Sequence, residues 1–395
     1  MLIEHDPAHA FVPYPAVALP HTPGGPLDGL SFAVKDLFDV AGYPTGGGNP
    51  HVLALSGIKT HTAPTVQRLL DSGARFVGKT YTDELAFSMN GINAHFGAPV
   101  NGGAPDRITG GSSSGSAAAV SNGLVDFALG TDTGGSVRCP ASHCGLFGLR
   151  PTHGRISLEN CLDLAPGFDS CGFFTRDSET FARVGDVLLG ADPSPLPAQP
   201  RLLYPEDGWS LLDGAVSDAL QPALDRVEAL FGKAAFMRMA PKGFDRNYWA
   251  FRYIQGREAW QADGDMIERY GLVLGPGVRD RFAWSKLVTD AQVEESVAIR
   301  SEVRATLAEI LGNDGVMVLP TMPDIAPLLT ADEAALEDYR NNAIKLLCLA
   351  GLSGFPQLSM PLVKRNGVPL GLSLLGPAGS DRSLIAMAHR IAAEG

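Results

Sequence analysis

The sequence predicts an α/β protein. Strand-like apolar runs alternate with segments whose apolar residues recur at helical spacing. The 395 residues are 45% hydrophobic and 19% charged, a globular composition able to bury a large core. Internal repeats and low-complexity tracts are missing, so the alternation is not that of a solenoid.

The elements follow in order. Residues 1–28 are rich in Pro, His and Ala and are expected to wrap the surface. "LSFAVKDLF" (Leu30–Phe38), an apolar run with a lysine inside it, reads as a strand. "TAPTVQRLLDSGARFVGK" reads as a helix ending near Gly73, then a strand, because Val66, Leu69 and Leu70 sit at helical spacing. "YTDELAFSM" is expected to form a short helix, "SAAAVSNG" another, and "LVDFALGT" a buried strand. "ADPSPLPAQP" (Ala191–Pro200) reads as a linker, after which "RLLYP" restarts as a strand. Long helical patterns fill residues 213–310, and "GVMVLPTMP" is a strand closed by prolines. "FPQLSMPLV" and "VPLGLSLLGP" pair through a turn at Arg365-Asn366-Gly367. A last helix starts at the cap-like Ser380-Asp381.

The net charge is −12, from 31 basic and 43 acidic side chains with no basic run, which disfavours nucleic acid and anionic lipid as partners. No apolar run approaches the roughly 18 residues of a membrane span, and "MLIEHDPAHA" does not resemble a signal peptide. Five cysteines at irregular spacing fit neither a disulfide framework nor a zinc site. Reduced thiols and a cytoplasmic location are the expectation.

Thr109–Pro140, "TGGSSSGSAAAVSNGLVDFALGTDTGGSVRCP", is the richest stretch. A flexible linker would not run into "AAAV" and "LVDFALG", which need burial. A phosphate loop would need a Gly-Lys-Ser/Thr ending, and "GGSSSGS" has no lysine. "GSSSG" (Gly111–Gly115) matches the nucleophile elbow around Ser113, but no strand precedes it. Ser136 has the better context. It follows a buried strand and the turn "TDTGG", where Gly134 and Gly135 permit tight folding. Backbone N–H groups from Thr133 to Ser136 can then meet one oxyanion. A serine nucleophile needs a base, and Lys35 sits in an apolar strand where burial would favour the neutral amine. Taken alone, the turn reads equally as an ordinary strand-to-helix connection, and Lys35 as a lysine that snorkels to the surface.

Together these residues resemble the amidase signature family. The likeness rests on "FAVKD" around Lys35, "GGSSSGSAAAV" from Gly110, "LGTDTGGSVRCPA" from Leu129 and "CGLFGLRPTHGRIS" from Cys144. Ser112 and Ser136 stand 24 residues apart (136 − 112), the family's usual separation. The tail "LAGLSGFPQLSMP…GVPLGLSLLGP" also fits, while residues 200–340 match loosely.

The resemblance implies one domain over 1–395, with a large mixed, twisted sheet covered by helices on both faces. Residues 30–190 would be the catalytic core, 200–340 a helix-rich variable region, and 341–395 the strands and helix that complete the core. Ser136 matches the acylated nucleophile, Ser112 the bridging serine after a cis peptide bond, and Lys35 the base. Thr133, Gly134, Gly135 and Ser136 match the oxyanion hole, and Ser113, Asp132 and Arg138 match supporting positions. No metal or organic cofactor is implied, since side chains and backbone supply the chemistry.

Lys35 comes early, so the helical leader of many members is expected to be largely missing. The early segments look most like the branch of plant indole-3-acetamide hydrolases, which also holds a non-catalytic chloroplast import receptor. The expected partner is a small amide, with Phe87, Ser88, Met89 and Asn90 and the loops 160–175 and 320–325 forming an apolar pocket. An aryl acetamide such as indole-3-acetamide is the first expectation, and the chain a monomer or homodimer. A glutaminase-type amidotransferase subunit is the alternative enzyme. A non-catalytic binding module is the other alternative, but it would be marked by loss of Ser136 or Lys35, and both are present.

Overall fold

The computed structural model describes residues 3 and 5–394, so Met1, Leu2, Glu4 and Gly395 lie outside the described residues, as does part of the segment weighed as a signal peptide. Strand β1 (Ser31–Lys35) is followed by helices α1 (Pro50–Ser56) and α2 (Pro64–Asp71) and by β2 (Arg75–Thr80). Next come α3 (Ser114–Ser121), β3 (Phe127–Asp132), α4 (Arg138–Cys144), β4 (Phe147–Arg150), β5 (Ser170–Thr175) and α5 (Ser178–Leu189). The variable region supplies β6 (Arg201–Pro205), α6 (Glu206–Trp209), α7 (Gly214–Phe231), β7 (Ala235–Met237), α8 (Phe244–Tyr270), α9 (Pro276–Ser285), α10 (Asp290–Leu311) and β8 (Gly315–Pro320). α11 (Glu333–Ser353), β9 (Gln357–Arg365), β10 (Val368–Leu375) and α12 (Asp381–Ala393) close the chain.

All ten strands join one sheet in the order β2-β1-β3-β5-β4-β9-β10-β8-β6-β7. Both flanks are parallel and the middle is antiparallel, so the sheet is mixed. Helices cover both faces because strand side chains alternate. Phe32, Val34, Phe127 and Leu129 pack with residues of α2, α5, α7 and α12. Ala33, Ala128 and Phe174 face the other way, against α3 and α4. Over the β8 side, Met317 and Leu319 pack with Phe251 of α8, Leu307 of α10 and Leu347 of α11.

Three local expectations are corrected. "YTDELAFSM" holds only one 3₁₀ turn, Glu84–Ala86, and Leu85 and Ala86 have positive φ. Tertiary hydrogen bonds override its helix pattern: the Leu85 N–H donates to Gly47 O, and the Glu84 carboxylate accepts from Asn49 and the Gly275 N–H and pairs with His95. "ADPSPLPAQP" is irregular but tied down. Its Asp192 carboxylate accepts the Arg382 and Ser383 N–H groups at 2.9 and 2.8 Å. Asp192 therefore performs the capping expected of Ser380, whose hydroxyl donates to Pro377 O instead. The first strand ends at Lys35, where the Leu37 and Phe38 N–H groups turn back to Lys35 O.

Candidate active site

The parallel pairing of β1 with β3 brings Lys35 and Thr131 to the same end of the sheet. Lys35 is fully buried. Its Nζ donates to Ser112 Oγ at 2.7 Å and to Thr131 Oγ1 at 2.8 Å. Burial pulls the ammonium down to about 8, against the opposing pull of nearby carboxylates, Asp83 first, then Asp169 and Asp132. The other buried lysine, Lys79, differs in having an ion-pair partner, Asp36, at 2.7 Å.

Ser112 lies in the turn before α3, after a cis Gly111-Ser112 peptide. The turn is fixed from outside. The Asp83 N–H and the Thr82 hydroxyl both donate to Ser112 O at 3.0 Å, and the Gly111 N–H donates to Met89 O at 2.8 Å. The Asp83 carboxylate packs so closely on Gly111 that a Cβ there would overlap it. Glycine is required at this position for space.

Ser136 sits between β3 and α4, buried, with its carbonyl accepting the Ser113 N–H at 3.3 Å. Its hydroxyl makes no hydrogen bond among the described residues. Ser113 ties the same two segments: its hydroxyl donates to Thr131 O at 3.1 Å and accepts the Thr131 N–H at 3.2 Å. Gly135 has φ +125, a conformation that favours glycine. Its N–H donates to Asp132 Oδ1 at 2.9 Å. The Gly135 N–H is thus engaged within the turn, while the Thr133, Gly134 and Ser136 N–H groups make no hydrogen bond among the described residues.

Asp132 anchors that turn. Its carboxylate accepts from Arg138 Nε and Nη2 at 3.0 and 2.8 Å and from Arg150 Nη1 at 3.0 Å. The Val137 and Arg138 N–H groups add to this at 3.1 and 3.2 Å. Burial alone would raise the carboxyl. The Arg138 and Arg150 charges and these hydrogen bonds win, holding it well below the usual range.

Sequence reasoning missed four contributors. Thr131 and Arg150 lay inside the quoted motifs without a role. Asp83 falls within "YTDELAFSM", whose pattern predicts a helix and assigns it no role at the site. Asp169 accepts the Thr133 hydroxyl at 2.5 Å and the Leu164 and Ala165 N–H groups at 2.9 Å, fixing the 160–170 loop over the turn. Charges within apolar runs, as in "GLFGLRP" and "TDELAF", were the available signal.

The four expected pocket residues divide. Ser88 and Asn90 line a cleft of about 340 Å³ with Glu84, Arg281, Glu333 and Glu337. Phe87 and Met89 are buried, Phe87 against Phe282 with ring centres 5.0 Å apart. Beside the turn, a Cβ on Gly134 would strike the Phe251 ring, which packs on Phe168 at 4.8 Å. Among the described residues no cluster of three or more His, Cys, Asp or Glu is placed to hold a metal ion. Nor is any helix there long and apolar enough to cross a membrane.

The structure thus places a buried lysine bonded to a serine beside a glycine-lined serine turn, on a mixed ten-stranded sheet. The Amidase family description matches residues 15–209. Amidase 1 of Arabidopsis thaliana is 39% identical, over 93% of this chain and 93% of its own length. The chloroplastic Outer envelope protein 64 of the same plant is 36% identical, over 95% of this chain and 68% of its own. A solved structure described as an amidase superposes with a TM-score of 0.85 at 31% identity, covering 94% of this chain and 86% of that one. The chain belongs to the amidase signature family and is a hydrolase of amide C–N bonds.

Proposed function

We propose that the chain hydrolyses a small carboxylic amide to the acid and ammonia or an amine, through an acyl-enzyme on Ser136. The observation that carries this is the 2.7 Å bond from Lys35 Nζ to Ser112 Oγ, in a turn whose next residue, Ser113, holds the Ser136 carbonyl. Neutral Lys35 draws the Ser112 proton as Ser112 takes that of Ser136, and Ser136 Oγ attacks the amide carbon. The oxyanion is met by N–H groups of the Thr133–Ser136 turn, where one donor is commonly worth about 3–4 kcal/mol. Lys35 then returns a proton through Ser112 to the leaving nitrogen. Water repeats the relay on the ester and frees the acid.

The Phe251–Phe168 pair beside Gly134 supports an apolar, aryl-bearing acyl group, with aryl acetamides such as indole-3-acetamide as representatives. The five unpaired cysteines support a reducing, cytoplasmic setting.

Intact mass after fluorophosphonate treatment tests the nucleophile. Labelling of the wild type, lost in Ser136→Ala and kept in Ser113→Ala, is the expected pattern. Loss in Ser113→Ala alone would move the nucleophile to Ser113.

A further inference from the structure

Two ion pairs bridge α8 and α10: Arg246 meets Glu302 at 3.0 Å, and Arg257 meets Asp290 at 2.6 Å. Glu258 of α8 and Arg300 of α10 are spent differently, on the backbone of one glycine in the 160–170 loop. Glu258 accepts the Gly167 N–H at 2.7 Å, and Arg300 Nη2 donates to Gly167 O at 2.6 Å. The carboxylate packs so closely that a Cβ on Gly167 would overlap it. His153 Nε2 adds a bond to the neighbouring Pro166 O at 2.9 Å. The Arg300 guanidinium also lies over the Phe168 ring at 4.6 Å, and its Nε donates to Leu352 O at 3.3 Å. Charge-assisted bonds of this kind hold harder than exposed ion pairs.

The gripped tip is stiff. The Phe168 and Asp169 N–H groups both donate to Ala165 O, at 2.8 and 2.9 Å, and the Asp169 carboxylate accepts the Leu164 and Ala165 N–H groups. Movement of Gly167 therefore carries Asp169 with it. Asp169 accepts the Thr133 hydroxyl, and the next residue, Ser170, pairs with Asp132 in register. A second path runs through rings: Phe168 packs on Phe251, which closes on Gly134. A third leaves Arg300 through Leu352, which follows Gly351, where a Cβ would stand 3.3 Å from Thr133 O. All three end on the turn whose N–H groups would meet the oxyanion.

The geometry points to Glu258 and Arg300 as positioning residues, a clamp on Gly167 that sets the Thr133–Ser136 turn from the helical layer. This rests on the amidase reading above. None of the three paths passes through Lys35 or Ser112, so the clamp governs the oxyanion donors and leaves the proton relay alone.

Phenylacetamide hydrolysis and fluorophosphonate labelling of Ser136 are the probes, with rates taken per labelled molecule so that misfolded protein does not count. Glu258→Ala and Arg300→Met lower kcat and the labelling rate roughly 10–100-fold, as small misplacements at a reacting centre do, while KM stays within about twofold. The rising limb of the pH profile does not move. Glu258→Gln keeps an acceptor for the Gly167 N–H and retains most of the rate. A purely structural role would lower the melting temperature and the labelled fraction and leave the rates per labelled molecule unchanged. That result overturns the clamp, as does a loss carried by KM, or a Glu258→Gln variant as slow as Glu258→Ala. Failure of the amidase reading looks different: the wild type neither turns over the amide nor takes the label. Hydrogen exchange at the Gly135 and Val137 amides, both bonded to Asp132, then decides. Faster exchange in Glu258→Ala and Arg300→Met upholds the clamp, and unchanged exchange overturns it.

Discussion

At the scale of single residues, the site depends on one amine being neutral. Below its pKa Lys35 is an ammonium and cannot accept a proton. Activity should therefore rise with pH and level off above about 8, the value to which burial pulls this group. Asp83 leads the charges that oppose the shift, so Asp83→Asn should move the rising limb to lower pH. Lys35→Ala should cost about 10²–10⁴ in kcat. Its melting temperature should hold or rise, since no buried ammonium remains to be desolvated. A variant that retained near-normal rates at neutral pH would sink the relay. Asp132 makes a contrasting case. Asp132→Asn leaves Arg138 and Arg150 buried without their shared counter-charge, and urea titration should register a loss of about 3–5 kcal/mol. The native carboxyl titrates below its unfolded value, so its contribution is complete above roughly pH 4 and fades as pH falls. The asparagine variant should show less of that acid sensitivity, and equal acid sensitivity would count against the assignment.

At the scale of elements, legibility follows the range of the interactions. β1, α2 and the β9–β10 hairpin were readable because each is set by its own periodicity or turn. Phe32 and Val34 share one side of β1, Val66, Leu69 and Leu70 one side of α2, and Asn366 and Gly367 supply the positive φ of the hairpin turn. The pairing of Lys35 with Ser112 was legible through motif order, even though the 2.7 Å bond joins residues 77 positions apart. What stayed hidden was decided by distant partners. Glu84–Ala86 gives up its helix to hydrogen bonds with Gly47, Asn49, His95 and Gly275. Asp192, in an apparent linker, caps α12 from 190 residues away. Asp192→Ala should lower stability by about 1 kcal/mol while leaving kcat intact, because α12 packs on the face away from Ser136. Thermal melts and rates measured on the same preparation check both halves of that expectation.

At the scale of the molecule, strand order carries the argument. The core strands β1–β5 end at β4, whose next neighbour is β9 from the C-terminal segment. β10 in turn pairs with β8, and β8 with β6, both from the variable region. Each region thus supplies one block of neighbouring strands, and the C-terminal pair β9–β10 joins the other two blocks into one sheet. Cutting after residue 190 would leave β4 without β9 and strip Leu358, Met360 and α12 from the shared core. The helical layer is also bound to the site, since Phe251 of α8 and Leu347 of α11 close on Gly134 and Gly135. Unfolding should therefore be cooperative across the chain. The tryptophans make this testable without new probes. All four, Trp209, Trp249, Trp260 and Trp284, lie in the variable region, so their fluorescence reports it alone. Far-UV circular dichroism reports every helix and strand. In urea the two curves should coincide, and loss of Ser136 labelling should follow the same midpoint. A fluorescence transition at lower urea, with labelling intact, would mean that the helical layer detaches from a core able to stand without it. Strand order would then have to yield to the looser sequence match of residues 200–340 as the better guide to how the molecule divides.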